Sequence, residues 1–301
     1  MRFGYWISTE HPFDEVAAAA REAERLGYDA VYVADHFMPQ AEPPLGPRLE
    51  AWTTLGALAA CTSRVRLGVL VSGNTYRHPA VLAKMAATVD RISGGRALLG
   101  LGAGWQANEH TAYGIELPEV PELLGRLEEA CQVIKSLFEK TWSDFDGRWY
   151  HLANAPLEPK PVQHPLPLIL GVAGERVAMG IAARHAEVWN YWSTPKTMGH
   201  KLEVLDTHCE RIGRDPSSLE RTTQALVQLR DDEKEAARLR NEESRNSIAG
   251  TPTQLSEDLC AFAALGIAEF ILPDRTLGKG HAERMELAAR FLEEVAAPLR
   301  S

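Results

Sequence analysis

Two spacings of apolar residues alternate along the chain: short uninterrupted runs, and longer segments in which apolar positions recur at helical spacing, with glycine or proline between them. The stretch from Arg77 to Glu109 shows one full cycle. Pro79 sits where a first helical turn tolerates a missing N–H, and Val81, Leu82, Met85, Val89 and Ile92 then recur on one helical face. Gly94-Gly95 breaks that helix, and Ala97 to Leu101 is a short apolar run suited to a strand buried on both sides, as in a parallel sheet. The strand opens into Gly102, Gly104, Trp105, Asn108 and Glu109.

The same alternation runs from end to end. Strands are predicted at Arg2–Ser8, Ala30–Ala34, Val65–Val71, Ala97–Leu101, Leu166–Leu170, Glu187–Tyr191, Thr222–Leu229 and Glu269–Leu272. Helices fall at Phe13–Leu26, closed by Gly27, and at Trp52–Cys61, Pro121–Lys140, Val177–His185, Pro252–Leu265 and Ala282–Ala296. Asp146-Gly147 between aromatic residues signals a hairpin, an excursion near 141–152, and the charge-dense run near 231–250 reads as a solvated helical insertion or lid. No Pro/Gly/Ser linker divides the chain. The pattern therefore predicts one domain over 1–301, a single (β/α)8 TIM barrel with insertions, whose usual size of about 250 residues leaves room for them.

Composition narrows the function. With 45% apolar and 24% charged residues the chain has enough material for a large core, and a net charge of −9 with no basic stripe argues against general nucleic-acid binding. No apolar run reaches the roughly 18 residues of a membrane helix, and no signal-type start is evident, so a cytoplasmic protein is expected. Cys61, Cys131, Cys209 and Cys260 are scattered, without metal-ligand spacing, and read as thiols on helices; no metal site is expected.

In such a barrel, chemistry sits at the C-terminal ends of the strands. Asp35-His36 follows the second strand. Read alone, Asp35 caps a helix and His36 bonds locally; alternatively His36 exchanges a proton, as an imidazole titrating near pH 6.5 can do. His11, Trp105, Trp192 and Arg275, beside Asp274, lie at strand ends as candidate substrate contacts, while Tyr5, Trp6 and Trp189 read as barrel core. Gly100, Gly102 and Gly104 lack the spacing and position of a dinucleotide fingerprint and fit a close backbone approach. The small residues of Gly171-Val172-Ala173-Gly174, leading through Glu175-Arg176 into a helix, could present N–H groups to an anion.

Arg77-x-Pro79, Asp90-Arg91-x-Ser93-x-Gly95-Arg96 and Gly100-x-Gly102-x-Gly104-Trp105 with Glu109 behind it resemble the bacterial-luciferase-like superfamily, most closely its deazaflavin (coenzyme F420)-dependent oxidoreductases. The resemblance spans Phe3 to about Leu299. It implies that His36 passes a proton beside the cofactor's reactive ring and that Asp35 contacts that ring. It further implies that Leu70, Val71 and Ser72 back the ring through a non-proline cis peptide, at Leu70–Val71 or Val71–Ser72. Asn108 would bond the cofactor or its tail, Asn74 and Arg77 would lie near that tail, and Gly171 to Arg176 would hold its phosphate. Trp105 stands where sugar-phosphate dehydrogenases of the group carry a catalytic glutamate, so that activity is not implied. Relatives pair through barrel helices, implying a homodimer. Three functions are open: hydride transfer between F420 and a small organic substrate; FMN-dependent monooxygenation with reduced flavin from a separate reductase; and a non-catalytic flavin-binding barrel.

Overall fold

The computed structural model describes residues 1–242 and 246–300. Its strands are β1 Arg2–Trp6, β2 Ala30–Val33, β3 Arg66–Gly73, β4 Ala97–Gly102, β5 Ser143–Asp146, β6 His151–Ala155, β7 Leu168–Gly171, β8 Val188–Trp192, β9 Glu220–Gln224, β10 Leu226–Leu229, β11 Ser247–Gly250 and β12 Glu269–Pro273. The α-helices are α1 Phe13–Leu26, α2 Ala51–Cys61, α3 Pro79–Ser93, α4 Ala107–Tyr113, α5 Val120–Glu139, α6 Ala178–His185, α7 Pro195–Arg211, α8 Glu233–Asn241, α9 Pro252–Ala264 and α10 His281–Arg290. Eight parallel strands close into a barrel in the order β1-β12-β9-β8-β7-β4-β3-β2, as the alternation of runs predicts.

Two apolar layers hold the barrel. The outer one packs helices on strands and contains Tyr5, Trp189, Phe262, Phe270 and Phe291; the inner one includes Tyr32, Leu98, Ile169, Val188 and Ile271. At the N-terminal end of the strands the buried Glu269 accepts a 2.9 Å hydrogen bond from the Tyr32 hydroxyl and faces Arg2 at 3.5 Å. Burial pushes the Glu269 carboxyl up in pKa, and Arg66 and Arg2 oppose the shift. Gly4 and Gly68 leave space for the Tyr32 ring, since a Cβ on either would come within 2.8 Å of it. This end is plugged, and the opposite end is free to carry a site.

The helices and strands depart from the sequence reading in several places. The seventh strand breaks at Ala225: β9 stays in the barrel, while β10 leaves it to pair in parallel with β11. The charged insertion is thus a small β-α-β unit on the rim, with α8 as its helix; residues 243–245 of the expected insertion lie outside the described residues. The expected hairpin forms as β5 and β6, reaching Ala155, and Glu129 of α5 accepts the N–H groups of Arg148, Trp149 and Tyr150 at its turn. Helix α7 is not among the helices delineated above; its start is marked by Thr194, reciprocally capped with Thr197, and by Pro195. On α3 the buried stripe is Leu82, Ala83, Ala86, Ala87 and Val89, whereas Val81 and Ile92 face solvent. Small alanines let that helix pack close, so the buried face turns away from the largest side chains. The cysteines are free thiols on α2, α5, α7 and α9.

Candidate active site

A cavity of about 710 Å³ opens at the C-terminal end of the barrel strands. Its size falls in the usual range for small-molecule and cofactor sites, about 300–1,000 Å³. One wall is made by β3. The β3–β4 register shifts between Val69 and Ser72, and the Leu70–Val71 peptide is cis, at one of the two bonds expected. This bulge presses the Val71 side chain against the neighbouring strands. A Cβ on Gly102 would lie 2.8 Å from Val71 Cγ2, one on Gly171 2.8 Å from Val71 Cγ1, and one on Gly100 2.0 Å from the Val69 carbonyl oxygen. The glycines of β4 and β7 are therefore the counterpart of the bulge. Leu70, Val71 and Ser72 all line the cavity, and the Trp52 indole N–H donates to Ser72 Oγ at 3.0 Å.

His36 follows β2 at the cavity edge. Its Nδ1 lies 2.8 Å from Oε1 of Glu109, whose side chain is fully buried. The other carboxylate oxygen of Glu109 accepts the Phe37 N–H at 2.7 Å, and the Tyr76 hydroxyl donates to Oε1. Burial alone would raise the Glu109 pKa, but these donors hold it below the ordinary carboxylate value. The Tyr76 hydroxyl is pushed up by burial and by Glu109, so it stays a donor. Glu109 therefore fixes the imidazole with Nδ1 carrying its proton and Nε2 as the nitrogen left for a ligand. Glu109 is the residue the sequence reading leaves without a role. Its available signal was position: it lies in the first turn of α4, where the helix dipole favours a carboxylate.

Asp35 lies beside His36 but serves differently. Its buried carboxylate takes a two-pronged bond from Arg77, at 2.6 and 2.9 Å, and accepts the Gly73 N–H at 3.3 Å; Arg77 also pairs with Glu50. Asp35 and Arg77 are thus bound to each other, and Asp35, which lines the cavity beside His36, ties the β2 and β3 ends together. Asn74 is buried beneath the cavity wall, with its amide donating to the Tyr150 hydroxyl at 3.2 Å, so it does not line the cavity as expected. Asn108 donates to the Pro39 carbonyl at 3.1 Å and accepts the Glu109 N–H at 2.9 Å. Its amide thus ties α4 to the loop after β2 while its oxygen bonds within α4, and it too stands outside the cavity lining.

Gly171, Val172, Ala173 and Gly174 line the cavity ahead of α6. Glu175 turns away to Lys201 at 2.6 Å and His200 at 3.1 Å, and Arg176 is exposed outside the lining; the backbone, not these side chains, meets the cavity. Among the substrate candidates, Trp105, Trp192 and Arg275 line the cavity. Trp105 stands edge-on to His36 with centroids 5.4 Å apart, and Trp192 packs against Trp6 at 5.3 Å. Trp6 packs against the inner apolar layer, in keeping with the core role expected of it, and its remaining surface lines the cavity. His11 is not in the lining; its Nε2 lies 3.2 Å from Asp274 Oδ2. Arg48, Asn190 and Gln224 also line the cavity and carry no strong sequence signal.

The sequence profile of the family described as luciferase-like monooxygenase matches residues 1–294. The chain belongs to this family. Among its luciferase-like relatives, the F420-dependent glucose-6-phosphate dehydrogenase of Amycolatopsis mediterranei is 38% identical over 59% of this chain and 54% of its own length. That of Microbacterium testaceum is 35% identical over 71% and 64%. The chain therefore spans about half to two thirds of the length of these relatives. An uncharacterised protein of Mycobacterium tuberculosis is 30% identical over 99% of both chains. An F420-dependent secondary alcohol dehydrogenase solved with an F420–acetone adduct superposes with a TM-score of 0.86 at 22% identity, covering 100% of this chain and 99% of that one. The F420-dependent tetrahydromethanopterin reductase of Methanopyrus kandleri superposes at 0.82 with 18% identity, covering 99% of each. At those identities the likeness is one of fold. Among the described residues no helix is long and apolar enough to cross a membrane.

Proposed function

We propose that this luciferase-like barrel is an oxidoreductase that transfers a hydride between deazaflavin coenzyme F420 and a small organic substrate, with His36 handling the accompanying proton. One observation carries the reading: an imidazole at the cavity edge whose Nδ1 is committed to a buried, ionised Glu109, on a barrel whose Val71 bulge is accommodated by glycines on β4 and β7. The residues fit a flat, anionic cofactor. The bulge offers an apolar wall, and the Gly171 to Gly174 backbone ahead of α6 offers N–H groups to a phosphate. When bound, the deazaflavin supplies the hydride acceptor or donor.

The chain's own part is positional and protolytic. Leu70, Val71 and Ser72 shape the wall that a ring would rest on. His36 Nε2 takes the proton from a substrate hydroxyl, or returns it to a carbonyl, while Glu109 stabilises the charge that develops on the ring. Tyr76 and the Phe37 N–H hold Glu109 in place for that task. Asp35 acts through Arg77 as a positioning residue. Trp105 and Trp192 flank the space left for substrate.

The F420-dependent relatives support this cofactor over FMN. Side-by-side fluorescence titrations with oxidised F420 and FMN test it. Tight F420 binding, followed by anaerobic hydride transfer that is lost in His36→Ala, is the expected result; FMN preference with oxygen consumption and need of a separate reductase would replace the reading. Binding of either cofactor without turnover on any alcohol or ketone would leave a flavin-binding barrel. We further take the chain to work as a cytoplasmic homodimer, supported by Val81 and Ile92, 53% and 50% exposed on α3. A light-scattering mass near 33 kDa, the monomer value, would refute the pairing.

A further inference from the structure

The cavity is polar on one side in a way that hydride transfer does not require. Arg48 and Arg275 both line it, on loops that follow β2 and β12. In the barrel order these strands flank β1, and β7, whose loop carries Gly171 to Gly174, lies diametrically across. The two arginines therefore face the cavity from the side opposite the loop assigned to the cofactor phosphate.

Each guanidinium has hydrogen-bonding capacity to spare. The Arg48 side chain is only 10% exposed and gives one nitrogen to Glu10 at 2.5 Å, while its Nε is buried with no partner. Its loop is pinned by the Leu49 N–H donating to the Thr9 carbonyl at 2.9 Å. Arg275 sits in the short turn Asp274–Thr276, which is fastened to β10 by the Thr276 hydroxyl donating to the Val227 carbonyl at 2.8 Å. Among the described residues the Arg275 side chain makes no hydrogen bond or ion pair. The two cations are near enough to repel: burial first, and then Arg275, depresses the Arg48 pKa, while the Glu10 and Glu109 carboxylates oppose this. His36 lines the same cavity, so the arginine pair and the His36 dyad share it.

Two carboxylates lie nearby, and neither satisfies the arginines. Glu10 occupies one edge of Arg48. Asp274 is buried at the cavity lining, with Oδ2 accepting the Ser8 N–H at 3.0 Å and meeting His11 at 3.2 Å. Unmet groups of both kinds therefore remain at this wall: the Arg48 Nε and the Arg275 guanidinium as donors, and the buried Asp274 Oδ1 as an acceptor. Guanidinium forks match the planar or tetrahedral oxygens of carboxylate and phosphate.

We infer that Arg48 and Arg275 form an oxyanion subsite that holds a carboxylate or phosphate group of the substrate, leaving its oxidisable carbon beside His36. The inference rests on the redox reading of the cavity and names the substrate class for it: small anionic alcohols and their ketones. An uncharged alcohol would leave these donors unmatched in a partly buried site.

The test uses inorganic phosphate and acetate as probes, titrated calorimetrically into the F420-saturated protein, with F420 affinity measured separately by fluorescence. Wild type should bind phosphate saturably. Arg275→Gln, at an exposed position that leaves the fold intact, should weaken it at least tenfold, and Arg48→Met with Arg275→Gln should abolish it, with F420 affinity changed less than twofold. Arg275→Lys should restore part of the loss. Equal phosphate binding in wild type and Arg275→Gln, or none in wild type, overturns the subsite. Phosphate competing with F420, with a tenfold loss of F420 affinity in the variants, would assign the arginines to the cofactor's anionic tail and overturn the substrate assignment. Failure of wild type to bind F420, with phosphate binding that still follows the arginines in the unloaded protein, would remove the proposed function and leave the anion site standing.

Discussion

Replacing Glu109 by Gln isolates what the buried carboxylate contributes. The substitution keeps size and shape but removes the charge and one of two acceptor oxygens. Three donors now converge on Glu109: His36 Nδ1–H, the Phe37 N–H and the Tyr76 hydroxyl. A glutamine oxygen can serve two of them at most, and its NH2 meets the third donor head-on. A hydrogen bond to a charged group contributes about 1.5–3 kcal/mol, and each 1.36 kcal/mol of barrier is tenfold in rate, so kcat/KM should fall about 10- to 150-fold. F420 affinity should stay within about twofold, because Glu109 is buried behind His36 and away from the cavity lining. The assay is anaerobic F420 reduction by a secondary alcohol, beside a fluorescence titration of F420. Tyr76→Phe, which removes one donor and keeps the charge, should cost less than Glu109→Gln. The pH sign follows from the depressed pKa of Glu109: its contribution is complete above the ordinary value of 4.5 and is lost as pH falls through the lower folded-state value, so only wild type should show that acid limb. A change under threefold in kcat/KM, or an equal loss of F420 affinity, would refute the dyad.

Arg77→Met should destabilise the fold by about 3–5 kcal/mol in urea unfolding, because it strands the buried Asp35. Burial already favours the protonated Asp35, so the deficit should shrink as pH falls toward the ordinary aspartate range; a pH-independent deficit would count against the charge argument. Gly102→Ala should cost about 1–3 kcal/mol by overpacking Val71 and weaken F420 binding, whereas Gly100→Ala, aimed at the Val69 backbone oxygen, should prevent folding; equal tolerance of both would contradict the bulge geometry. Ser72→Ala should cost about 1–3 kcal/mol by leaving the buried Trp52 indole N–H without an acceptor, and a neutral result in thermal unfolding would refute that contact.

Periodicity and turn residues were enough for the eight barrel strands and their order, though not for α4, α7 or the break between β9 and β10. Apolar runs buried on both faces can only be the strands of a covered parallel sheet, and their alternation with helical spacing left the barrel as the arrangement that uses all eight. Local signals that mark strand ends also placed His36 and the Gly171 to Gly174 loop at the functional rim, whereas the β3 bulge was implied only by the family resemblance. Side-chain partnerships emerged with the folded barrel. Glu109 is 73 positions from His36, and Arg77 is 42 from Asp35, so no spacing rule joins them. Asn74, Asn108 and His11 sit at strand ends or loops as expected, yet each is turned to a neighbouring segment, the Asn74 amide to Tyr150, the Asn108 amide to Pro39 and His11 Nε2 to Asp274. Direction was equally hidden: packing into the core was open to Tyr5 and Trp6 alike, and the pleat sent Tyr5 outward to the helices and Trp6 toward the cavity. Adjacent residues on a strand point to opposite faces, and which face becomes the cavity is settled only when the barrel closes.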